Sequence, residues 1–231
     1  MSNIQSLARS KRYELLFLKC KKLKISNLVL GHHIDDVIEN FFLRMARGSG
    51  LKGLVSLGTN TQIENINLIR PLIEFDKRDL IFLSKFIFNF YVDDPTNDDI
   101  KFNRIKVRNL IKRFEDFGLD KKKFQLTIEN LKKSDQSIKF YVEKNKKENS
   151  ILNYRKNELI LKDNFFDNSY EVIFRSLSDL IHLVGKKRNF VRGKKIENIL
   201  SKIKEQKLKK ETLGGCVIKM VNHTVILTKE V

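Results

Sequence analysis

The stretch from Asn27 to Leu54, NLVLGHHIDDVIENFFLRMARGSGLKGL, constrains the fold more than any other part of the chain. Leu28 to Leu30 is a short apolar run that reads as a buried strand. It ends at Gly31, two histidines and two aspartates. A helical pattern follows, with apolar residues at Val37, Ile38, Phe41, Phe42 and Met45. Asp36 and Glu39 stand at capping-box spacing, with Asp in place of Ser or Thr, so the helix is predicted to start at Asp36. In an open α/β sheet, ligands bind beyond the carboxyl ends of the strands, where helix N-termini point. His32, His33, Asp35 and Asp36 are predicted to lie at such a place.

Helical spacing puts Asp36, Asn40 and Arg47 on one polar stripe opposite the phenylalanines, with Glu39 beside it. A Gly-Ser-Gly loop follows at Gly48 to Gly50, between Arg47 and Lys52. Carboxylates hold divalent cations through oxygen. Arg47 and exposed backbone amides suit phosphate. Singly, an Asp before a helix is most often a cap, and a Gly-Ser-Gly loop most often a turn. A Gly-His-His-x-Asp-Asp run at a strand end, then Arg-Gly-Ser-Gly one helix later, is harder to explain by folding needs alone.

The chain has 231 residues, room for one large or two small domains. Charged residues make up 32%, and no run approaches the roughly 20 apolar residues that a membrane helix needs. The N-terminus lacks an apolar signal core. The reading is a soluble, cytoplasmic protein with no membrane partner. Cys20 and Cys216 have neither metal nor disulfide spacing and are expected to be buried and reduced. Charge is unevenly spread. Residues 1–100 carry 14 basic and 12 acidic residues; residues 101–231 carry 32 and 16, so the net +18 divides as +2 and +16. A basic second half points to an anionic partner, with nucleic acid the first candidate, since basic residues gain affinity by releasing phosphate counterions.

In chain order, residues 4–22 read as an amphipathic helix and 56–68 as a polar surface loop. Asn67 to Leu72 reads as a strand ended by Pro71. Asp76 caps a helix to about Phe88, with Leu80, Ile81, Leu83, Phe86 and Ile87 expected to face the core. Asp93 to Asn97 is a turn cluster. A basic helical region runs from Arg104 to about Asn149, broken near Gly118 to Asp120. Residues 151–166 suit a short hairpin or extended link, and 168–184 a helix. Gly185 to Lys195 packs basic residues, Lys186, Lys187, Arg188 and Arg192 among them, around Phe190, a pattern that suits phosphate contact. A helix from about Gly193 to Lys207 follows. The chain closes on TLGGCVIKM and TVILTKE, read as two alternating strands.

Three of these stretches together resemble the tRNA(Ile)-lysidine synthetases, members of the N-type ATP pyrophosphatase, or PP-loop, superfamily. They are His32, His33, Asp35, Asp36 and Glu39, then Arg47, Gly48 and Gly50; Arg70, Pro71 and Leu72; and Asp94 to Asn97, followed by Phe102, Arg104 and Arg108. Asn40 stands where the family usually has Thr, and Val37 where it often has Gln. The resemblance implies an α/β fold: an incomplete doubly wound parallel sheet, adenine nucleotide alpha hydrolase-like, followed by a basic helical region with a small C-terminal β-hairpin. It implies a catalytic domain at 1–115 and a tRNA-binding region at 116–231.

The implied activity is ATP-dependent ligation of free lysine to the wobble cytidine, C34, of the CAU anticodon of tRNA(Ile), through an adenylated intermediate. ATP and Mg2+ are the implied cofactors. Asp35, Asp36, Glu39 and Arg47 are the implied catalytic residues, with Asp36 and Glu39 toward the metal. His32, His33, Gly48 and Gly50 are expected at the nucleotide, and Arg104, Arg108, Lys186, Lys187, Arg188 and Arg192 at the tRNA. The superfamily's Ser-Gly-Gly-x-Asp-Ser loop, which cradles pyrophosphate, does not occur in the sequence, and no glycine precedes Gly31. Three expectations follow: a loop encoded upstream, a partner chain that carries it (or a homodimer), or a tRNA-binding remnant without ATP chemistry. The chain alone is not expected to hydrolyse ATP.

Overall fold

The apolar run at Leu28 forms strand β1 (Asn27–Val29) in the computed structural model, which describes residues 3–63, 65–92, 103–187, 191–222 and 224–230. Side chains at 3–6, 103 and 104 lie outside that description. So do Asp94 to Asn97, Phe102, Arg188 and Phe190, and with them the readings placed there. The chain divides into two compact units, Met1–Lys133 and Ser134–Val231.

The first unit contains α1 (Asn3–Lys22), β1, α2 (Ile34–Met45), α3 (Leu51–Leu54), β2 (Asn60–Ile63), β3 (Ile66–Ile69), α4 (Lys77–Phe88) and α5 (Asn103–Asp116). It also holds the start of α6 (Lys121–Asn149), which crosses the boundary between units. The sheet order is β1-β3-β2, with β1 parallel to β3 and β2 antiparallel to it. Leu28 pairs with Leu68 across the parallel ladder. One face of this sheet packs Leu28, Ile66 and Leu68 under Tyr13, Phe17 and Cys20 of α1. A second cluster gathers Val37, Ile38 and Phe42 of α2 with Ile73, Phe124 and Ile128.

Three expectations need correction here. β2 lies inside the stretch read as loop; its residues, NTQI, are mostly exposed and polar, so no apolar alternation marked it. β1 is not a buried strand: Leu28 is half-buried and Val29 is 64% exposed. α4 forms where Asp76 places it, with the Asp76 carboxylate accepting from the Arg78 N–H, yet none of its residues is buried. Leu83, Phe86 and Ile87, expected in the core, are exposed, because no described residue covers that face.

The second unit holds the rest of α6, β4 (Ser150–Asn153), β5 (Glu158–Leu161), a 3-10 turn at Asp163–Phe166, α7 (Tyr170–Gly185), α8 (Gly193–Lys204), β6 (Lys210–Leu213), β7 (Cys216–Val221) and β8 (Thr224–Lys229). The C-terminal hairpin is part of a five-stranded antiparallel sheet, β4-β5-β8-β7-β6. TLGGCVIKM is two strands. Gly214 and Gly215 have φ of 63° and 78°, the pair of positive values that a tight two-residue hairpin turn requires. Leu161, Phe165, Leu177, Ile181, Ile196, Ile218 and Leu227 fill the core between sheet and helices. Among the described residues no helix is long and apolar enough to cross a membrane.

Candidate active-site cleft

α2 starts two residues earlier than its sequence suggests. His33 is the N-cap, with extended backbone, and the helix begins at Ile34. Asp36 therefore sits at the third helical position, where its carboxylate accepts the His33 backbone N–H at 3.0 Å. The carboxylate reaches back to a donor that the helix leaves free, the capping-box role usually taken by Glu. So Asp36 closes the box rather than opening it, and Glu39 is released from capping.

Glu39 lies one turn further on, 4% exposed. Its Oε1 accepts from Arg108 Nε of α5 at 2.5 Å. Its Oε2 is buried and has no hydrogen-bond partner among the described residues. Both residues line a cleft of about 840 Å³, together with His33, Asp35, Asp76 and Lys121. Burial works against the Arg108 charge, but the Glu39 carboxylate outweighs it and raises the guanidinium pKa.

Lys121, the first residue of α6, bridges two carboxylates across this cleft. Its Nζ lies 2.5 Å from Asp35 and 2.8 Å from Asp76. Asp35 also accepts the Lys77 backbone N–H at 3.1 Å and lies 3.3 Å from His33 Nδ1. Burial alone raises a carboxyl pKa. At Asp35, the nearby His33 and Lys121 charges and the hydrogen bond from the Lys77 N–H overcome burial and hold it well below the usual carboxylate range. Asp76 is lowered in the same way by Lys121 and Arg78. The Asp35 carboxylate, 3.3 Å from Nδ1, raises His33 against its burial, and Asp36, 3.5 Å from Nε2, adds to that. Lys121 is raised by its two carboxylates, again against burial.

The structure thus brings His33, Asp35, Glu39 and Arg108 together on one cleft. Asp36 is adjacent but turned to His33, and half-buried His32 is not on the cleft wall. Arg47, Gly48 and Gly50 are elsewhere. α2 ends at Met45, so Arg47 falls in the following turn, off the helical stripe assigned to it, and is exposed. Lys186, Lys187 and Arg192 are exposed in the second unit, around the end of α7 and the start of α8. Asp76 and Lys121 join the cleft unforeseen. The sequence marks Asp76 as a cap and Lys121 as one lysine in a basic run; nothing local signals a contact between residues 45 apart. Among the described residues, no group of three or more His, Cys, Asp and Glu is arranged to hold a metal ion.

A sheet with a parallel pair, and a polar cleft beyond its strand ends at a helix N-terminus, is the arrangement of nucleotide-using α/β domains. In agreement, residues 1–114 match the PP-loop domain family. The particular relatives are tRNA(Ile)-lysidine synthases. The chain is 29% identical to that of Wolbachia sp. subsp. Brugia malayi, 30% to that of Orientia tsutsugamushi and 32% to that of Rickettsia bellii. Each similarity covers 99% of this chain but 53% of the relative, so the chain spans about half the length of the proteins it matches.

Proposed function

We propose that this chain takes part in the ATP-dependent joining of lysine to C34 of the CAU anticodon of tRNA(Ile). One observation carries the reading. A buried carboxylate, Glu39, keeps one oxygen unpartnered on the wall of a cleft large enough for small substrates. A buried acceptor without a donor costs about 1–3 kcal/mol, so such an oxygen is expected to serve a ligand.

The chemistry follows from the substrate. The C2 carbonyl of cytidine is a poor electrophile. Attack of its oxygen on the α-phosphorus of ATP releases pyrophosphate and turns that oxygen into part of a leaving group. A lysine amine then adds at C2, AMP departs with the oxygen, and a proton is lost. The protein positions the pieces and stabilises charge. Glu39 receives lysine's side-chain ammonium, held in place by Arg108, and Asp35 and Asp36 fix His33 beside it. His32, Gly48, Gly50 and Arg47 serve the nucleotide phosphates. Mg2+ would enter with ATP and take most of its ligands from phosphate and water; Asp36 or Glu39 would supply it an oxygen only by giving up the His33 N–H or the place held for the amine. Residues 1–115 form the catalytic part in this reading. Basic residues of 116–231, with Lys186, Lys187 and Arg192 among them, grip the RNA backbone.

A second reading, a tRNA-binding part that leaves the ATP chemistry to another segment, is supported by charge: residues 101–231 carry 32 basic and 16 acidic residues. Calorimetry separates the two. The first expects the chain to bind L-lysine, to reject norleucine, which lacks the side-chain amine, and to lose lysine on Glu39→Gln. It also expects preference for a CAU over a GAU anticodon in tRNA(Ile) transcripts. Binding of tRNA without lysine supports the second; binding of neither removes both.

A further inference from the structure

We propose that Lys121 determines which end of lysine enters the cleft: its ammonium fills the Asp35–Asp76 pair and leaves the buried Glu39 oxygen to receive the incoming amine. This deepens the reading that Glu39 takes lysine's side-chain ammonium, on which the choice of end rests.

The local sequence puts Lys121 where a lysine is unfavourable for the helix. α5 ends at Asp116, and Gly118 turns the chain with φ of 83°. Asp120 then caps α6, accepting the Lys122 N–H at 2.5 Å. Lys121 is therefore the first residue of α6, where the partial positive charge of the helix end disfavours a cation. Asp35 and Asp76 have their own reasons to be where they are. Each stands at a helix start, which favours an acid, and each accepts a backbone N–H, from Lys77 and from Arg78.

The three side chains nevertheless converge. Lys121 Nζ lies 2.5 Å from Asp35 and 2.8 Å from Asp76, and the side chains are 25%, 24% and 17% exposed. Two of the three ammonium donors thus meet carboxylates, an arrangement that any primary ammonium can copy. Without Lys121 the pair would present two negative charges to the cleft it lines. Glu74, Asp79, Glu115 and Asp120 also line the cleft, but they are exposed, and water and salt weaken ion pairs there.

Asp35 and Glu39 are four residues apart on α2, so the filled pair and the open Glu39 oxygen are neighbours on one helix face, about 6 Å apart along the axis. Lysine carries an ammonium at each end of a carbon chain long enough to span that gap. With both places open it would bind either way round, or across the two. Lys121 closes one of them. At Glu39 alone the α-ammonium is the worse fit, because the carboxylate next to it would be brought against the buried Glu39 charge. The side-chain ammonium has only methylenes beside it.

The test is calorimetric titration of n-pentylammonium and of cadaverine, its counterpart with an ammonium at both ends, into the native chain and Lys121→Met at low ionic strength. In the native chain the two amines should bind within about threefold of each other, since the second ammonium meets only exposed, screened charges. In Lys121→Met, cadaverine should gain at least about tenfold over n-pentylammonium, because one molecule then bridges two places. Adding Asp35→Asn should return the ratio to its native value. A merely structural Lys121 would shift both amines together, so an unchanged ratio in Lys121→Met overturns the proposal. If the native chain binds neither L-lysine nor n-pentylammonium, the Glu39 reading fails, and Tm decides the role of Lys121. n-Pentylammonium should then raise the Tm of Lys121→Met but not of the native chain, and tetramethylammonium, which lacks N–H donors, should raise neither; equal responses overturn the proposal. Should Lys121→Met not fold, the side-chain ammonium NMR signal of Lys121 in the native chain replaces it. That signal is expected to stay unchanged at saturating L-lysine and cadaverine, and its displacement by either overturns the proposal.

Discussion

Arg108→Met is the most informative single change, because the structure sets both its magnitude and its rescue. The substitution keeps the apolar stem of the side chain and removes the guanidinium from Glu39. The Glu39 carboxylate is 5% exposed, and its Oε2 has no partner among the described residues to begin with. Breaking a fully buried ion pair costs about 3–5 kcal/mol, since a charge is left without compensation. The Arg108 side chain is 35% exposed, so water reaches part of the site and the cost is discounted to about 2–3 kcal/mol. For a unit of this size that is a fall of roughly 6–12 °C in Tm. The assay is differential scanning calorimetry or urea titration of Arg108→Met, Glu39→Gln and the double variant. Glu39→Gln removes the charge that Arg108 neutralises, so the double variant should recover at least about 1 kcal/mol relative to Arg108→Met alone. If Arg108→Met and the double variant are equally destabilised, the cost is lost packing and Glu39 is not a buried charge held by Arg108.

Two further outcomes are expected. His33 has its pKa raised by Asp35, so its stabilising charge is fully present below the unfolded value of about 6.5 and fades as pH rises through the higher folded value. The Tm gap between the native chain and His33→Gln should therefore shrink between about pH 6 and pH 9; a constant gap would dismiss the ion pair. In the second unit, a Cβ at Gly185 would stand 2.0 Å from the Gly214 carbonyl oxygen, whereas one at Gly193 meets only the Phe174 ring at 3.5 Å. Helix propensity favours alanine at Gly185 by about 1 kcal/mol, but overpacking against backbone should win and leave a net loss of about 2 kcal/mol. Gly193→Ala should be near neutral, and equal urea midpoints for the two would contradict the close approach of α7 to the Gly214 turn.

What the sequence disclosed, and what it hid, follow one physical division. Features set by local chemistry were legible. Asp76 caps α4, Gly118 separates α5 from α6, and the apolar face of α7 is buried at Val172, Leu177, Leu180 and Ile181. Features that depend on what lies opposite were not. Leu83, Phe86 and Ile87 have core-like spacing, but spacing says only which side chains share a face, not whether anything meets them. β2 is four residues of weak alternation and exists because β3 offers it an edge. At the site, Glu39, Asp35 and His33 were readable as a motif, while Lys121 was not, since its two partners are set by the tertiary fold. The stripe through Asp36, Asn40 and Arg47 stops short of Arg47 for a simpler reason: α2 ends at Met45, and apolar spacing alone does not mark that end.

The charges in the cleft decide what it is fit to receive. Asp35 and Asp76 are committed to Lys121, with backbone N–H groups of α4 as further donors. Asp36 is committed to the backbone of His33. These carboxylates are satisfied within the protein, and a ligand cation would have to displace a lysine or unseat a helix start to reach them. Glu39 differs: Arg108 satisfies one oxygen and leaves the other for something that enters the cleft. Net charge does not exclude an anion: Asp35, Glu39, Glu74, Asp76, Asp79, Glu115 and Asp120 line the walls together with Lys77, Arg78, Arg108, Lys112, Lys121 and Lys122. What distinguishes the site is the free acceptor. A primary ammonium group, small and rich in donors, suits the remaining Glu39 oxygen. Arg47 and the amides around Gly48, proposed above for the nucleotide phosphates, lie outside the cleft, beyond the C-terminal end of α2. In that proposal the amine and the phosphates approach from opposite ends of one helix, with the cytidine between them.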